Sequence, residues 1–305
     1  VCSSDLLDVR VRPSPAMMDT NIERALAVAF YVPLVVAMVL ETIAPRRAAI
    51  RSTAWRWLNT AGLAVINTLL ARAAAFLTTL VAIVEIDRAG WGLLNQISLP
   101  GPVAFGVGIL LLDFASYLKH RAFHAWPVLW QMHSVHHSDT DMDVATSLRH
   151  HPADYLLDTL MTVGIVLVLG LTVETVFAYQ LLALVLNSFR HGNIRLPDKL
   201  ERRVRLVLVT PDLHRVHHSS VERETNSNFG VLCPWWDRML GTYVAQPAHG
   251  HEAMDLGLEY FRAPAENTIF RMLTQPLRQM KARKVALDSS GKQGQEQGPV
   301  VRLDA

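Results

Sequence analysis

The stretch PVAFGVGILLLDFASYLKHRAFH, residues 102–124, decides how the rest of the chain is read. A hydrocarbon core of ~30 Å takes about 20 apolar residues at a helical rise of ~1.5 Å each. The apolar run Pro102 to Leu118, with Asp113 near its end, is of that order, and it delivers His120 and His124 just beyond the apolar part. Four residues apart on a continuing helix, the two imidazoles share one face.

Three other runs have the same character. Ala25 to Ile43 contains a single Pro33, and Ala61 to Ile86 is interrupted by Asn67 and Arg72, which must face a bundle or snorkel. Leu156 to Arg190 breaks at Gly170-Leu171-Thr172-Val173-Glu174 and reads as a helical hairpin, fully spanning or partly re-entrant. Composition agrees: of 305 residues 50% are hydrophobic and only 18% charged, with a mean hydropathy of +0.21. That is too apolar for an ordinary soluble enzyme or a disordered chain. The expected architecture is all-α, an integral membrane helical bundle of about four to five membrane helices with a cytoplasmic histidine-rich helical cap.

Charge sets the expected orientation. Lys and Arg total 29 against 27 Asp and Glu, so no long-range field recruits nucleic acid. Arg46, Arg47, Arg51 and Arg56 crowd the connection between the first two runs, whereas Asp87 to Leu99 holds one Arg and no Lys. Basic residues near span ends stay cytoplasmic. The third run then ends inside at Lys119-His120-Arg121, and the hairpin returns there before Arg195, Lys199, Arg202, Arg203 and Arg205. Every histidine cluster is expected at the cytoplasmic face of a bacterial inner membrane.

Two cysteines, Cys2 and Cys233, make no disulfide framework or zinc ribbon. Histidine carries the signal, with eleven of thirteen between His120 and His218. His133, His136 and His137 have i, i+3, i+4 spacing, which puts three imidazoles on one side of a helix, and His214, His217 and His218 repeat it. No other internal repeat is visible. Neutral imidazoles suit Zn, Cu, Fe and Ni, while Mg and Ca prefer oxygen. So many histidines exceed what a four-coordinate zinc can use, which implies two metal ions. Without paired Cys ligands an iron–sulfur cluster is excluded. Asp139, Asp141, Asp143 and Asp212 lie near the clusters as possible carboxylate ligands, so a membrane dizinc hydrolase stays open. A histidine-rich metal transporter or sensor is a third reading, with ligands expected along a path across the bilayer. Of Arg149-His150-His151-Pro152, one imidazole completes the site and the other hydrogen-bonds a ligand. His191 reaches the same metals where the hairpin re-emerges, and His249 and His251, in a Gly/Pro-flanked loop, read as surface residues.

From about Asp113 to Tyr243 the sequence resembles the fatty acid hydroxylase and sterol desaturase superfamily of membrane, histidine-ligated di-iron oxygenases. The resemblance is carried by His120-Arg121-x-x-His124, His133-Ser134-Val135-His136-His137-Ser138 and Pro211-x-x-His214-Arg215-Val216-His217-His218-Ser219. It continues through Asn228-Phe229-Gly230 to Trp236-Asp237-Arg238-x-x-Gly241-Thr242. Arg149-x-His151-Pro152 resembles a family element in which the His before Pro is the matching one, with Asp154 where the family often has Glu. His191-Gly192-Asn193 with Leu196-Pro197 resembles the family's intermediate histidine. The resemblance implies ten metal ligands: His120, His124, His133, His136, His137, His151, His191, His214, His217 and His218. Asp113, His150, Asn193 and Asp237 are the expected supporting residues around them.

It further implies two iron ions, with Zn as a substitute in purified material, and O2-dependent hydroxylation or desaturation of a lipid C–H bond. The substrate is then a sterol, fatty acyl chain, sphingoid base or related lipid entering from the bilayer. No Gly-rich dinucleotide fingerprint or haem-attachment motif is present, so a separate donor, cytochrome b5-like protein, ferredoxin or reductase, supplies the electrons. The expected organisation is a leader over 1–17, membrane helices over 18–118, and a catalytic region over 119–246 that includes the hairpin 156–190. An interfacial segment over 247–287 and a disordered tail over 288–305 follow. Val1-Cys2-Ser3-Ser4-Asp5-Leu6 reads like a translated library adapter, with the true start expected at Met17 or Met18. Asn267 to Lys284 reads as an amphipathic segment lying on the inner leaflet.

Overall fold

The computed structural model describes residues 15–70 and 90–279, with side chains from residue 24 onward. The expected leader lies mostly outside the described residues, as do the later part of the second apolar run and the tail. Helix α1 (Pro15–Ile43) and α2 (helical over residues 53–70) are followed by α3 (Gly101–Ala125) and α4 (Pro127–His137). Helices α5 (Pro152–Leu169) and α6 (Val173–His191) come next. Among the described residues there is no strand, only an isolated antiparallel bridge between Ser219 and Leu256. Arg24–Ile43, Gly101–Ala125 and Pro152–Leu169 are long and apolar enough to cross a membrane. On the first of these Val28, Val32, Val35 and Val39 are exposed, as a lipid-facing helix requires.

Proline and glycine punctuate the bundle. Pro127 is a favoured first residue for α4, and it pushes Trp126 out of the helical region to ψ 120°. Helix α4 therefore folds back onto α3 instead of prolonging it, which brings the second histidine group to the first. Helix α5 ends on Gly170 at φ 68°, and a Cβ on Gly92 would fall 2.2 Å from the Gly170 Cα. Thr172 then caps α6 by accepting from the Thr175 amide.

The break at Gly170 is where the sequence places it, but α5 and α6 are not a closely packed hairpin. Helix α6 packs on α1 and α3, whereas α5 packs on α3. The two splay apart and leave a cavity between them. Leu112, Leu171, Tyr179 and Leu232 form the apolar core at the foot of this arrangement.

The cap is built from short helices: α7 (Asp198–Val204), α8 (Pro211–His217), α9 (Glu222–Thr225), α10 (Trp235–Leu240), α11 (Gly250–Ala253) and α12 (helical over residues 269–279). One face of α12 meets protein: Met272 packs with Leu63 and Val135, and Gln275 and Gln279 bond Ser134 of α4 and Ser138 at its C-cap, while Phe270 and Leu277 stay exposed. One expectation changes here. His251 is buried 3.8 Å from Asp212, while His249 is exposed.

Candidate metal centre

Four elements carry the imidazoles. Helix α3 supplies His120 and His124, α4 supplies His133, His136 and His137, α6 ends on His191, and α8 with its C-cap supplies His214, His217 and His218. Helix α8 owes its position to Thr210, which caps it through the Leu213 amide, with Pro211 in the first turn. The nine rings fall into two groups. In His120, His124, His133, His137 and His217 one nitrogen from each lies within 4.8 Å of the others, and the same holds for His136, His191, His214 and His218. The groups adjoin, with the His137 and His218 rings stacked 4.5 Å apart.

Ring nitrogens converge in pairs: His217 Nε2 is 3.1 Å from His120 Nε2, His136 Nε2 is 3.2 Å from His191 Nε2, and His214 Nε2 is 3.0 Å from His191 Nε2. Nitrogens bound ~2.1 Å from a shared ion at right angles lie ~3 Å apart, so these spacings fit ligands of common ions.

Backbone carbonyls hold the rings in that orientation. His120 Nδ1 faces the Phe229 carbonyl at 2.9 Å, His191 Nδ1 that of Asn187 at 2.9 Å, and His217 Nδ1 that of Ser227 at 2.6 Å. A carbonyl only accepts, so each Nδ1 carries the proton and each Nε2 turns its lone pair inward. Asp154 performs a related task with charge, its oxygens lying 3.4 Å from His133 Nδ1 and 2.8 Å from His150 Nδ1.

Burial and chemistry both suit a metal. Both ring nitrogens of His137 and His218 are buried without a hydrogen-bond partner, as is His133 Nε2. Orphaned buried nitrogens are rare in native proteins unless something binds them. Burial holds His136, His137, His214 and His218 well below the usual histidine range, and neighbouring imidazoles push the same way. His217 is lowered to about 3, again chiefly by burial. The rings are therefore neutral near pH 7, the state that binds transition metals and not Mg or Ca.

Nine of the ten histidines expected as ligands are brought together; His151 is not. Its Nδ1 accepts from the Ala153 amide at 3.1 Å as the N-cap of α5, and its Nε2 lies 3.2 Å from the Leu273 carbonyl. His150 lies at the cluster instead, stacked on His136 at 4.4 Å.

The supporting residues act differently from expectation. Asp113 holds the Leu232 amide, the Cys233 thiol and the Trp236 indole and bonds no imidazole. Asn193 pairs with the backbone of Arg47 through both ends of its amide. Asp237 works at one remove: it accepts from the Phe229 and Gly230 amides at 2.8 Å each, fixing the carbonyl that orients His120. A Cβ on Gly230 would lie 2.6 Å from the Cys233 carbonyl, so this turn tolerates only glycine. The carbonyls of Asn187 and Ser227 leave no trace in sequence, because any residue offers one.

The carboxylates that would favour a hydrolytic site are elsewhere. Asp139 and Asp143 pair with Arg56, Asp141 accepts from the Ile50 amide, and Asp212 pairs with Arg215.

Residues 105–242 match the fatty acid hydroxylase family, a span holding all nine clustered histidines. The chain carries a fatty acid hydroxylase domain. It is 31% identical over 152 residues to the ornithine lipid hydroxylase OlsE of Rhizobium tropici, covering 48% of this chain and 44% of that protein. It is 28% identical over 158 residues to the alkylglycerol monooxygenase of Xenopus tropicalis, covering 51% of this chain and 34% of the relative. The human alkylglycerol monooxygenase is 28% identical over 137 residues, covering 44% and 29%. The chain spans less than half the length of these relatives. No solved structure matches. Apolar helices and the fatty acid hydroxylase domain together point to a membrane protein with a metal site.

Proposed function

We propose that this chain is a membrane di-iron oxygenase that uses O2 and external electrons to hydroxylate or desaturate a lipid C–H bond. The observation that carries this reading is the two adjoining groups of imidazoles, several of which line a cavity walled by apolar helices. Iron held by His120, His124, His133, His137 and His217 on one side and His136, His191, His214 and His218 on the other would supply the oxidising power that an unactivated C–H bond demands. The chain's own part is to fix the rings through Asn187, Ser227, Phe229 and Asp154, and to shield the reacting lipid from bulk water.

Two features disfavour the rivals. Asp154 is the one carboxylate grouped with the imidazoles among the described residues, so the bridging acids of a dizinc hydrolase are lacking. The histidines gather at one end of α3 and α6 and do not trace a path across a bilayer, which argues against transport. The relatives named for lipid hydroxylation and alkylglycerol oxygenation support a lipid substrate.

In this reading the histidines face the cytoplasm of a bacterial inner membrane, residues 119–246 form the catalytic region, and electrons come from a separate protein donor. The test is elemental analysis and O2 uptake by purified protein, with mass spectrometry of lipids from cells that have or lack it. Two irons per chain and a lipid gaining 16 or losing 2 mass units, the values for one oxygen inserted or two hydrogens removed, is the expected result. Zinc alone, with no iron bound and no O2 uptake even after zinc is removed and Fe(II) supplied, would exclude the oxygenase.

A further inference from the structure

The cavity between α5 and α6 holds a charge that the metal centre leaves unmatched. It has a volume of about 360 Å³ and is bordered by α1, α2, α3, α5 and α6, with His120, His133, His136 and His191 on its wall. Two non-histidine cations line it, Lys119 and Arg190. Lys119 is satisfied: its Nζ lies 2.6 Å from Asp158 and 2.7 Å from the Thr162 hydroxyl. Asp154 is committed to His133 and His150.

Arg190 has no such partner. Its Nη1 donates to the Val231 carbonyl and its Nη2 to the Asn187 side-chain oxygen, each at 2.8 Å, and both acceptors are neutral. Its Nε is buried without a partner. Among the described residues no carboxylate stands at ion-pair distance from it. Asp113 and Asp158 act on it only from further away, and Asp113 is already bonded to Leu232, Cys233 and Trp236.

A guanidinium has five donors, and two are used here. Arg190 is half-buried, and a charge drawn partly out of water with no counter-charge beside it is costly. Neutral imidazoles offer nothing to offset it, and bound metal ions would add positive charge nearby. The second hydrogens of Nη1 and Nη2 remain for a carboxylate or phosphate, which a guanidinium pairs with through two parallel bonds.

Resting on the oxygenase reading, we propose that Arg190 binds the anionic group of the substrate, which is an amphiphile carrying a carboxylate or phosphate and not a neutral lipid. The same contact positions the chain of the amphiphile along the apolar wall while its charged end stays beside the metal centre.

Binding tests this without reference to turnover. Retention of radiolabelled oleate, oleyl phosphate and oleyl alcohol is measured on purified protein in a neutral maltoside detergent. The wild type should hold one of the two anions at least ~10-fold more tightly than the alcohol, as expected for a charge-assisted pair replacing a neutral contact. Whichever anion binds better distinguishes carboxylate from phosphate. Arg190→Gln should bring the anions down to the level of the alcohol without changing the alcohol itself, while Arg190→Lys keeps part of the preference. Equal binding of anion and alcohol by the wild type, or a preference that survives Arg190→Gln, overturns the proposal. Where Arg190→Gln cannot be purified, Lys119→Gln decides: a retained preference supports Arg190, and a lost one transfers the anion to Lys119. A protein that prefers the anion but holds no iron and takes up no O2 fails as an oxygenase while keeping its anion site.

Discussion

His137 lies between the two groups of rings, within 5.0 Å of His124, His133, His217 and His218 by ring centroid. With neither nitrogen hydrogen-bonded, its place in the fold makes chemical sense only as a ligand. His137→Ala should therefore lose most bound metal by elemental analysis while still inserting into membranes. His151→Ala should keep its metal and lose only cap and carbonyl contacts worth about 0.5–1.5 kcal/mol each; equal metal loss in both variants would contradict this assignment. The resemblance favours His151 over His150 and the structure reverses that choice, since neighbours in an extended segment point to opposite sides and spacing alone does not say which side faces the cluster. Pro152 decides the matter, since it starts α5 and leaves His151 as its cap. The other nine were legible because helical spacing alone puts them on shared faces.

The same rings set a pH dependence. The unfolded chain binds protons at its histidines below 6.5, whereas burial keeps His136, His137, His214 and His218 neutral well below that, and His217 down to about 3. The unfolded state then binds more protons across that window, so stability falls as pH drops from 6.5 towards 3. Asp237, which burial pushes up to about 6, and Asp143, also raised chiefly by burial, work in the opposite sense, but they are two groups against five. The melting midpoint of metal-depleted protein should be flat above pH 7 and fall below pH 6; a midpoint that rises on acidification would refute the neutral cluster.

At the scale of elements, the loop between α4 and α5 is held by Arg56 at the start of α2. Its guanidinium pairs with Asp139 at 2.7 Å and Asp143 at 2.9 Å, all three side chains being buried. Burial opposes the charge on Arg56, but the two carboxylates outweigh it and raise its pKa. Burial likewise works against ionised Asp139, yet Arg56 and Arg149 hold it at about 2. Removing one partner of such a group strands the others, typically at ~3–5 kcal/mol. Arg56→Met should lower the melting midpoint clearly more than Lys119→Met, whose partner Asp158 is half exposed; equal shifts would show the Arg56 group to be dispensable. In sequence Arg56 counts only as one more basic residue, because partners more than eighty positions away carry no local pattern. The breaks at Trp126 and Gly170 were readable as far as proline and glycine dictate backbone angles. The splay of α5 from α6 was not, since it depends on which neighbours α6 prefers.

For the whole molecule, the arginines that suggest orientation also build the cap. Arg46 meets Asp212 at 3.5 Å and Glu252 at 3.3 Å, while Arg47 donates to the carbonyls of His251 and Met254. The connection between α1 and α2 is thus bonded to α8 and α11, so it and the histidine cap must lie on one side of the bilayer. Under the proposed orientation, in which the basic residues of such a connection stay cytoplasmic, the cap faces inward with them. This is open to direct measurement, because Glu252 is 64% exposed and Cys233 is buried, its thiol pushed up to about 12 by burial and Asp113. With Cys2 replaced by Ser, a Glu252→Cys variant should react with a membrane-impermeant maleimide in inverted vesicles and stay unlabelled in intact cells or spheroplasts. Labelling from outside would place the α1–α2 connection and the imidazoles on the opposite face, and with them the side from which electrons must arrive.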